Sequence, residues 1–441
     1  MALSRADAGH LMRRVCVGGG TDAEIDHFTG RTRNSAVNEV IADALNAPTP
    51  PPPDWSGLSE PWAQETETIS WWIDRMNDSP GPLREKMAWF WHGHFCTEED
   101  KIYDMDIMFE QNSLFRSGGL GNFRDLVQQM AIQPAMLIYL DNETNEKGAE
   151  QENFARELME LFTIGRENYS ESDVVAMAKA WTGHNTVGWV PDGNGGWHYV
   201  PNYTFKSELH DNTQKTLFGK TRNWNGPGTI NEICNGARRV ECSEYIAAKL
   251  WRFFVHANPS PSRIQSLGAH FRSVNLNIGE LLRHILKDDE FWAPVSRHAL
   301  VKSPVEFLAT LLKRTGVDVD SGSRRWYLQG MGQVPFDPPD VAGWGMNEDW
   351  LSTATAWGKA RLVQHTRWQL DDLGHLQNLE NAGPNVVANR VFDLLGITEP
   401  SANTRASIVQ WVDDVHQHRM QWSITPQAYL LAALSPDFQL N

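Results

Sequence analysis

Apolar residues recur at helical spacing along most of the chain. In the segment 151–164 they share one helical face at positions i, i+4, i+7 and i+8: Phe154, Leu158, Leu161 and Phe162. The same period predicts further helices over 34–45, 65–76, 82–95, 170–181, 243–254, 261–274, 279–286 and 304–315. The pattern therefore predicts a predominantly α-helical fold built around one large helical domain.

Three stretches interrupt this pattern. Residues 47–60 are rich in proline, which cannot continue a helix, so we expect an extended tether. Residues 184–230 and 333–352 are long, irregular and aromatic, and such loops inside a compact protein are usually functional. The chain thus divides into two N-terminal helices in 1–46, the tether, and a main helical domain in 61–441 that carries both loops as insertions. We expect at most one small β hairpin, within 184–230.

The charge balance narrows the choice of partner. The chain has 441 residues and a formal net charge of −16, and its Lys and Arg residues are scattered singly or in pairs. Nucleic-acid-binding proteins usually carry a basic stripe, so we expect no nucleic acid and no anionic membrane surface as partner. On the first predicted helix, His10 and Arg14 stand at i and i+4 and could bind an anion. Pairing with a nearby carboxylate is the simpler expectation.

The N-terminus and the cysteines bear on the compartment. The first residues lack the basic start and apolar stretch of a signal peptide, which predicts a cytoplasmic protein as written, or an exported one if a leader was removed. No run of about 18 apolar residues occurs, so we expect no membrane insertion. The four cysteines, Cys16, Cys96, Cys234 and Cys242, form no Cys-x-x-Cys pair. Although Cys234 and Cys242 could meet across a loop, we expect free thiols and no structural zinc or disulfide.

Carboxylates cluster on the 151–164 helix. Glu152, Arg156 and Glu160 share one face at i, i+4 and i+8, which by itself fits an exposed ladder of ion pairs. Glu157 borders the apolar stripe, with Asn153 on the same strip. We expect partial burial of Glu157 to raise its pKa, which suits an acid–base site.

Asp141 and Asn142 follow a short apolar helix and precede a polar turn. They could form a helix-ending Asx turn, or present a carboxylate and an amide at the rim of a cleft facing Glu157. We hypothesise that Glu157 is a general acid and ionised Asp141 its partner, because different surroundings push two carboxyl pKa values apart. Their separation would then indicate retention or inversion at a sugar centre.

Three histidines are candidate ligands or proton-transfer groups. His92 and His94 stand two residues apart, so a metal shared by the pair would require the helix to end there. His210 is followed by Asp211 in the aromatic loop. This dipeptide could orient a proton-transfer histidine or simply cap a turn.

Short motifs follow one another along nearly the whole chain. They occupy 83–95, 121–126, 134–142, 152–165, 181–183, 302–306 and 338–344, together with His210, Asp211, Lys215 and Gly219. In this order they resemble the bacterial family called domain of unknown function 1800, whose name assigns no activity. The resemblance and the carboxylate spacing imply one polar centre of Asp141, Asn142, Asn153, Arg156, Glu157, Glu160 and His210. This chain departs from the family pattern in two ways: Gly93 stands where Asn is more usual, and members are often exported although no leader is seen here.

We favour an enzyme with an acid–base site lined by tryptophan, of which the chain has 19. Carboxylates beside stacking aromatics fit a hydrolase acting on carbohydrate, with Glu157, Asp141, Glu160 and His210 as catalytic groups. The expected ligand-binding residues are Asn142, Asn153, Arg156, Asp211, Lys215, Trp181 and Trp344. This hypothesis requires no cofactor and makes no prediction of oligomeric state. The alternatives are a metal- or haem-dependent oxidoreductase using His92, His94 or His210, and a non-catalytic binding or partner protein.

Overall fold

The computed structural model describes residues 2–193, 196–375, 379, 381–417 and 424–441. Helices dominate these ranges, as the apolar period predicts. The first twelve are α1 Arg5–Val15, α2 Asp22–Phe28, α3 Arg33–Asn46, α4 Pro61–Asp78, α5 Pro82–His94, α6 Glu99–Ile102, α7 Met105–Gly118, α8 Phe123–Met130, α9 Pro134–Tyr139, α10 Asn153–Glu160, α11 Glu171–Ala180 and α12 Gly226–Asn235. They are followed by α13 Arg239–Phe254, α14 Pro261–Ser273, α15 Ile278–Lys287, α16 Asp289–Trp292, α17 Pro304–Thr315, α18 Ser321–Met331, α19 Thr353–Thr366, α20 Gln369–Asp372, α21 Pro384–Leu395, α22 Ala402–Gln417, α23 Ile424–Ala433 and α24 Pro436–Gln439.

Local sequence signals fix where several helices begin. Ser4, Thr21 and Ser170 each accept a hydrogen bond from the backbone N–H three residues later, and the carboxylate at that position bonds back. These reciprocal capping boxes satisfy N–H groups that a helix start leaves unpaired. The N-terminal region holds three helices rather than the predicted two, because the Thr21 cap starts α2 as a separate element.

Helix α10 is shorter than the apolar period predicts. The N–H groups of Leu161 and Phe162 both bond the carbonyl of Glu157, and those of Ile164 and Gly165 both bond the carbonyl of Met159. Bonds that span five and six residues wind the chain more widely than an α-helix, and this end takes residues 161–165 out of the regular helix. The carbonyl groups of Leu161 and Phe162 are thereby left free to accept other donors.

The segment 184–230 holds two antiparallel hairpins, where the sequence predicted at most one. Strand β1 His184–Pro191 pairs with β2 Trp197–Phe205, and β3 Lys215–Leu217 pairs with β4 Lys220–Arg222. Phe218 and Gly219 join the second pair, both with positive φ, the backbone of a two-residue primed turn. The fold class is nevertheless confirmed, since both sheets are small and two-stranded.

One continuous cluster of buried apolar side chains runs from Leu3 to Phe438. All four cysteines are buried and free. Those of α12 and α13 lie close together: a hydrogen bond to Cys234, together with burial, raises the pKa of the Cys242 thiol. The four thiols therefore pack as small apolar groups in the interior.

The proline-rich segment separates the end of α3 at Asn46 from the start of α4 at Pro61. Its start is tied to the body of the protein, because the guanidinium of Arg84 donates to the carbonyl groups of Ala44, Leu45 and Pro48. Among the helices described here, none is long and apolar enough to cross a membrane.

Candidate functional site

A cavity of about 300 Å³ lies where α1, α5, α13 and the start of α17 meet the irregular loop that follows α18. Its volume falls at the lower end of the range for small-molecule sites. Its charged lining is unusual. The cationic side chains are Arg13, Arg14, Lys86, Lys249 and Arg252, whereas Glu306 is the single carboxylate side chain among the described lining residues. We call this space the cationic cavity.

One face of α5 forms much of the wall. The lining residues stand at i, i+3, i+4, i+7 and i+8: Lys86, Trp89, Phe90, Gly93 and His94. Helical geometry places such positions on one side of the helix. By the same spacing, α13 contributes Lys249, Arg252 and Phe253. Two helices therefore supply alternating cationic and aromatic groups to one space.

Arg13 and Arg14 lie in the last turn of α1. Arg14 is fully buried, and its Nη2 donates to the carbonyl of Ser296. Its Nε and Nη1, like Nε and Nη2 of Arg13, meet no acceptor among the described residues. Burial lowers the pKa of Arg14 to about 9 and that of Arg13 to about 10. The nearest opposite charges, Glu306 and Glu399, act on these guanidinium groups only at longer range.

Glu306 is already committed to neighbouring groups. Its carboxylate pairs with Nζ of Lys86 and accepts the N–H of Ser303 at 2.9 Å, closing the capping box of α17. Burial alone would raise the pKa of Glu306, but Lys86, Ser303 and Lys302 outweigh it and lower that pKa. The one acidic side chain of the cavity therefore neutralises Lys86 and leaves the arginines without a partner.

Two further buried lysines lie behind this centre. Nζ of Lys302 donates to the carbonyl groups of Phe438 at 2.6 Å and Leu440 at 2.9 Å. Nζ of Lys359 donates to Oε1 of Gln439 at 2.7 Å. Burial lowers the pKa of Lys302 and lowers that of Lys359 to about 8. The positive character of the cavity thus continues into the protein interior.

Tryptophans from the irregular loop form the opposite wall. Trp344 stacks on Trp89 with ring centroids 5.7 Å apart and planes at 23°, and Trp350 lines the same space. Gly343, with φ of 84°, lets the loop pack against the end of α5, because a Cβ there would lie 2.5 Å from the carbonyl oxygen of Gly93. Trp344, which the sequence predicts as a ligand-binding residue, therefore lines the cationic cavity.

His94 and Lys249 form a hydrogen-bonded pair on the cavity wall. Nε2 of His94 lies 3.0 Å from the carbonyl of Phe162, which can only accept, so Nε2 carries the proton. Nδ1 then accepts from Nζ of Lys249 at 3.0 Å, and this Nζ also donates to the carbonyl of Leu161 at 3.3 Å. Burial, followed by the charge of Lys249, lowers the pKa of His94 and keeps it neutral.

His92 occupies a separate aromatic box. Its ring contacts those of Trp72, Trp89 and Trp344, and its Nε2 accepts the N–H of Phe336 at 3.0 Å. Burial lowers the pKa of His92 to about 3. Since the lone pairs of Nε2 in His92 and Nδ1 in His94 are both taken by other donors, this geometry does not support a metal shared by the two histidines.

The predicted carboxylates lie around α10, outside the described lining of the cavity. Glu157 is half-buried, and its pKa is raised by burial and by Glu160. Asp141, at positive φ after α9, accepts from Nζ of Lys101 at 2.9 Å and from Nδ2 of Asn153 at 2.7 Å. The pKa of Glu157 is thus shifted in the direction expected from its sequence position, and the catalytic roles of Glu157 and Asp141 stay predictions.

The predicted ladder along α10 forms only in part. Arg156 pairs with Glu152 at 3.4 Å but more closely with Glu171 at 2.8 Å, on the following helix. Glu160 instead bonds Arg166 and the hydroxyl of Tyr169, and these contacts lower its pKa despite partial burial.

Asn142 and His210 meet the same backbone segment. Nδ2 of Asn142 donates to the carbonyl of His184 at 2.8 Å, and Nδ1 of His210 donates to that of Thr182 at 2.8 Å. Both side chains are buried and hold the start of β1 in place. Trp181, at the end of α11, is buried as well, and its Nε1 donates to Oγ1 of Thr229 at 3.1 Å.

Lys215 and Asp211 organise the turn between the two hairpins. Nζ of Lys215 donates to the carbonyl groups of Thr213 at 2.9 Å and Trp224 at 3.1 Å. The Asp211 carboxylate accepts the N–H and the hydroxyl of Thr213, both at 2.6 Å. These contacts give the dipeptide that contains His210 a turn-forming role, one of the two interpretations that the sequence left open.

Sequence analysis missed most of the cationic cavity. Lys86 and Lys249 each interrupt an apolar stretch of a helix, and Arg13 precedes Arg14 on another helix. These cations were a signal from which the cavity could have been predicted. For Arg14, the sequence favoured pairing with a nearby carboxylate over binding of an anion. In the structure, Arg14 forms no ion pair with a described carboxylate. His10 is not placed to bind an anion with Arg14, because its Nε2 donates to the carbonyl of Phe291 at 2.8 Å.

Three of the motifs noted in the sequence meet at this cavity: 83–95, 302–306 and 338–344 each supply lining residues. No curated protein and no solved structure matches the chain. The family model described as "Protein of unknown function (DUF1800)" matches residues 10–440, nearly the whole of the sequence. The chain therefore belongs to the DUF1800 family.

Proposed function

We propose that the cationic cavity binds an anionic small molecule whose planar or apolar part rests against the tryptophans. The observation that carries this proposal is Arg14, a fully buried guanidinium with two nitrogens, Nε and Nη1, whose N–H groups meet no acceptor among the described residues. A buried charge without a partner is costly, and so are unsatisfied buried donors. A bound carboxylate, phosphate or sulfate would supply both the missing charge and the missing acceptors.

The charge distribution of the whole chain supports the same proposal. The protein carries a formal net charge of −16, so an excess of buried cations is not a consequence of its composition. Among the described lining residues, five cationic side chains face one carboxylate side chain, and that carboxylate is bonded to Lys86 and to the cap of α17. The stacked pair Trp89 and Trp344 adds a flat apolar surface suited to a ring.

The test is a titration with pyridoxine 5′-phosphate, which joins a phosphate to a planar ring, and with inorganic phosphate alone. We expect saturable binding of both, tighter for the ring compound, with a change in tryptophan fluorescence. The variant Arg14→Met should weaken binding by about 10- to 100-fold, the range expected for a lost charge-assisted hydrogen bond. Arg124→Met removes the same charge from the start of α8, where Arg124 pairs with Asp125, and serves as the matched control.

Stability separates a ligand role of Arg14 from a structural one. Because its charge is buried without a carboxylate, Arg14→Met should leave the free energy of unfolding of the ligand-free protein unchanged or raise it. A variant that unfolds more easily would assign Arg14 to the fold. If the wild-type protein binds neither compound, or Arg14→Met binds both as tightly as wild type, the proposal is wrong.

A second candidate function is the hydrolase favoured by the sequence. It is supported by the Glu157 carboxylate, which has a raised pKa and forms no hydrogen bond or ion pair with another described residue. Release of 4-nitrophenol from a panel of 4-nitrophenyl glycosides tests it. Turnover that is lost in Glu157→Gln but kept in Glu110→Gln, at an exposed position of α7, would support it. Full activity of a stable Glu157→Gln protein would refute the role of this residue.

A further inference from the structure

Lys249 differs from the other cations of the cavity in the partners it has. Its Nζ contacts a neutral imidazole and a backbone carbonyl, His94 Nδ1 at 3.0 Å and Leu161 O at 3.3 Å. No described carboxylate forms an ion pair with it, whereas Lys86 pairs with Glu306. The Lys249 side chain is half-buried and lines the cavity, which places its amine beside a molecule bound there.

We propose that Lys249 is a nucleophilic amine that condenses with the carbonyl group of an anionic aldehyde or ketone held in the cationic cavity. This inference rests on the proposed anion site, which would hold the charged end of such a molecule. The aromatic wall and the neutral His94 make the uncharged amine less costly to form than at an exposed lysine. Lysines placed in this way form imines with carbonyl substrates.

The groups around Lys249 agree with this role. The titratable and charged side chains that act on it are Tyr245 and Arg252 on its own helix, and His94 and Cys96 at the end of α5. None of these is a carboxylate that would hold the ammonium form. Burial, with a smaller contribution from Arg252, lowers the pKa of Lys249 to about 8, compared with about 10.4 for an exposed lysine.

The condensation balances without an outside oxidant or reductant. The lone pair of Nζ attacks the carbonyl carbon, and the carbonyl π electrons move to oxygen, giving a carbinolamine after proton transfer. Loss of the hydroxyl group with one proton releases water and forms the C=N bond. His94 is a positioning residue here: its Nδ1 accepts one N–H of the amine and so limits the directions open to the nitrogen lone pair.

The experiment uses pyridoxal 5′-phosphate as the probe, because it has the phosphate and ring of pyridoxine 5′-phosphate but carries an aldehyde. The full-length protein is incubated with one equivalent, reduced with cyanoborohydride, digested and mapped by mass spectrometry. We expect the adduct on Lys249 at least tenfold above any other lysine, and we expect excess pyridoxine 5′-phosphate to suppress it. Lys249→Arg should abolish the adduct, because a guanidinium group does not form an imine with the aldehyde under these conditions.

The controls separate this inference from the proposed function. Lys147→Arg, at an exposed lysine, should leave the Lys249 adduct unchanged. If pyridoxine 5′-phosphate binds but Lys249 is not modified, or the adduct spreads evenly over exposed lysines, the amine role is wrong and the anion site stands. If neither pyridoxine 5′-phosphate nor inorganic phosphate binds, the anion site itself is wrong.

Discussion

Gly93 offers a test of whether the space inside the cationic cavity is used. It is the next-to-last residue of α5, it lies on the cavity wall, and a Cβ built on it would meet nothing within 4 Å. Its φ is not positive, so a side chain causes no backbone strain. Replacing it by alanine should therefore stabilise the ligand-free protein, by about 0.5–1 kcal/mol for a helical glycine.

The expected effect on binding has the opposite sign. A methyl group occupies roughly the volume of one water molecule, about 30 Å³, so Gly93→Ala fills about a tenth of a cavity of about 300 Å³. Gly93→Asn, which restores the residue more usual in the family pattern, would fill roughly a third of it. We expect Gly93→Asn to weaken pyridoxine 5′-phosphate at least tenfold and to change the affinity for inorganic phosphate much less.

Calorimetry measures both effects. For 441 residues the entropy of unfolding is roughly 0.9 kcal/mol/K, so the gain from Gly93→Ala corresponds to a rise in Tm of about 0.5–1 °C. Gly330→Ala is the matched control, since Gly330 is helical, exposed and also free of neighbours within 4 Å. It should raise Tm similarly and leave binding unchanged. A lower Tm for Gly93→Ala, or unchanged ring-compound binding in Gly93→Asn, would refute the reasoning.

Three further changes test the surrounding framework. Lys86→Met leaves Glu306 buried without its cation and should lower the free energy of unfolding by about 3–5 kcal/mol in urea titrations, while the double variant with Glu306→Gln recovers most of the loss. Gly343→Ala places a Cβ 2.5 Å from a backbone oxygen at positive φ, so a loss of at least about 2 kcal/mol is expected, and wild-type stability would contradict the loop packing. Because its pKa is lowered to about 3, His92 stays neutral in the folded protein, whereas the same residue in the unfolded chain takes up a proton below pH 6.5. This difference lowers the free energy of unfolding as the pH falls from 6.5 towards 3. In His92→Gln, the free energy of unfolding from urea titrations should depend on pH less steeply, by about 1.4 kcal/mol per pH unit between pH 6 and 4. An unchanged slope would show that His92 does not titrate as argued.

The helices could be predicted from sequence because their signals are local. The capping box at Ser170 and the prolines that begin α5 and α17 act within one turn, and the structure has helices at each of these places. The extra hairpin was missed because its turn is Phe218–Gly219, whose first residue rarely takes positive φ. The early end of α10 was missed because it depends on backbone contacts rather than on side-chain period.

The candidate site was harder to predict because its contacts are distant in sequence. The partners Lys86 and Glu306 are 220 positions apart, and Arg14 lies 282 positions from the carbonyl of Ser296. No helical period reports such pairs. His94 was singled out from the sequence as a candidate metal ligand, but its hydrogen-bond partner Lys249 lies 155 positions away and could not be paired with it from the sequence.

The chain has a negative net charge, whereas the lining of the cavity is cationic, and this contrast limits which anions can bind in the cavity. A net charge of −16 produces a field that repels anions during approach, so long-range steering does not help a ligand to bind. Under the proposed function, affinity would then come from short-range contacts with Arg13 and Arg14 and from stacking on the tryptophans. A polyanion such as nucleic acid would meet the repulsive surface over its whole length and could place only one charged group in about 300 Å³. The charge balance therefore fits the proposed small ligand with one anionic end better than it fits a nucleic acid.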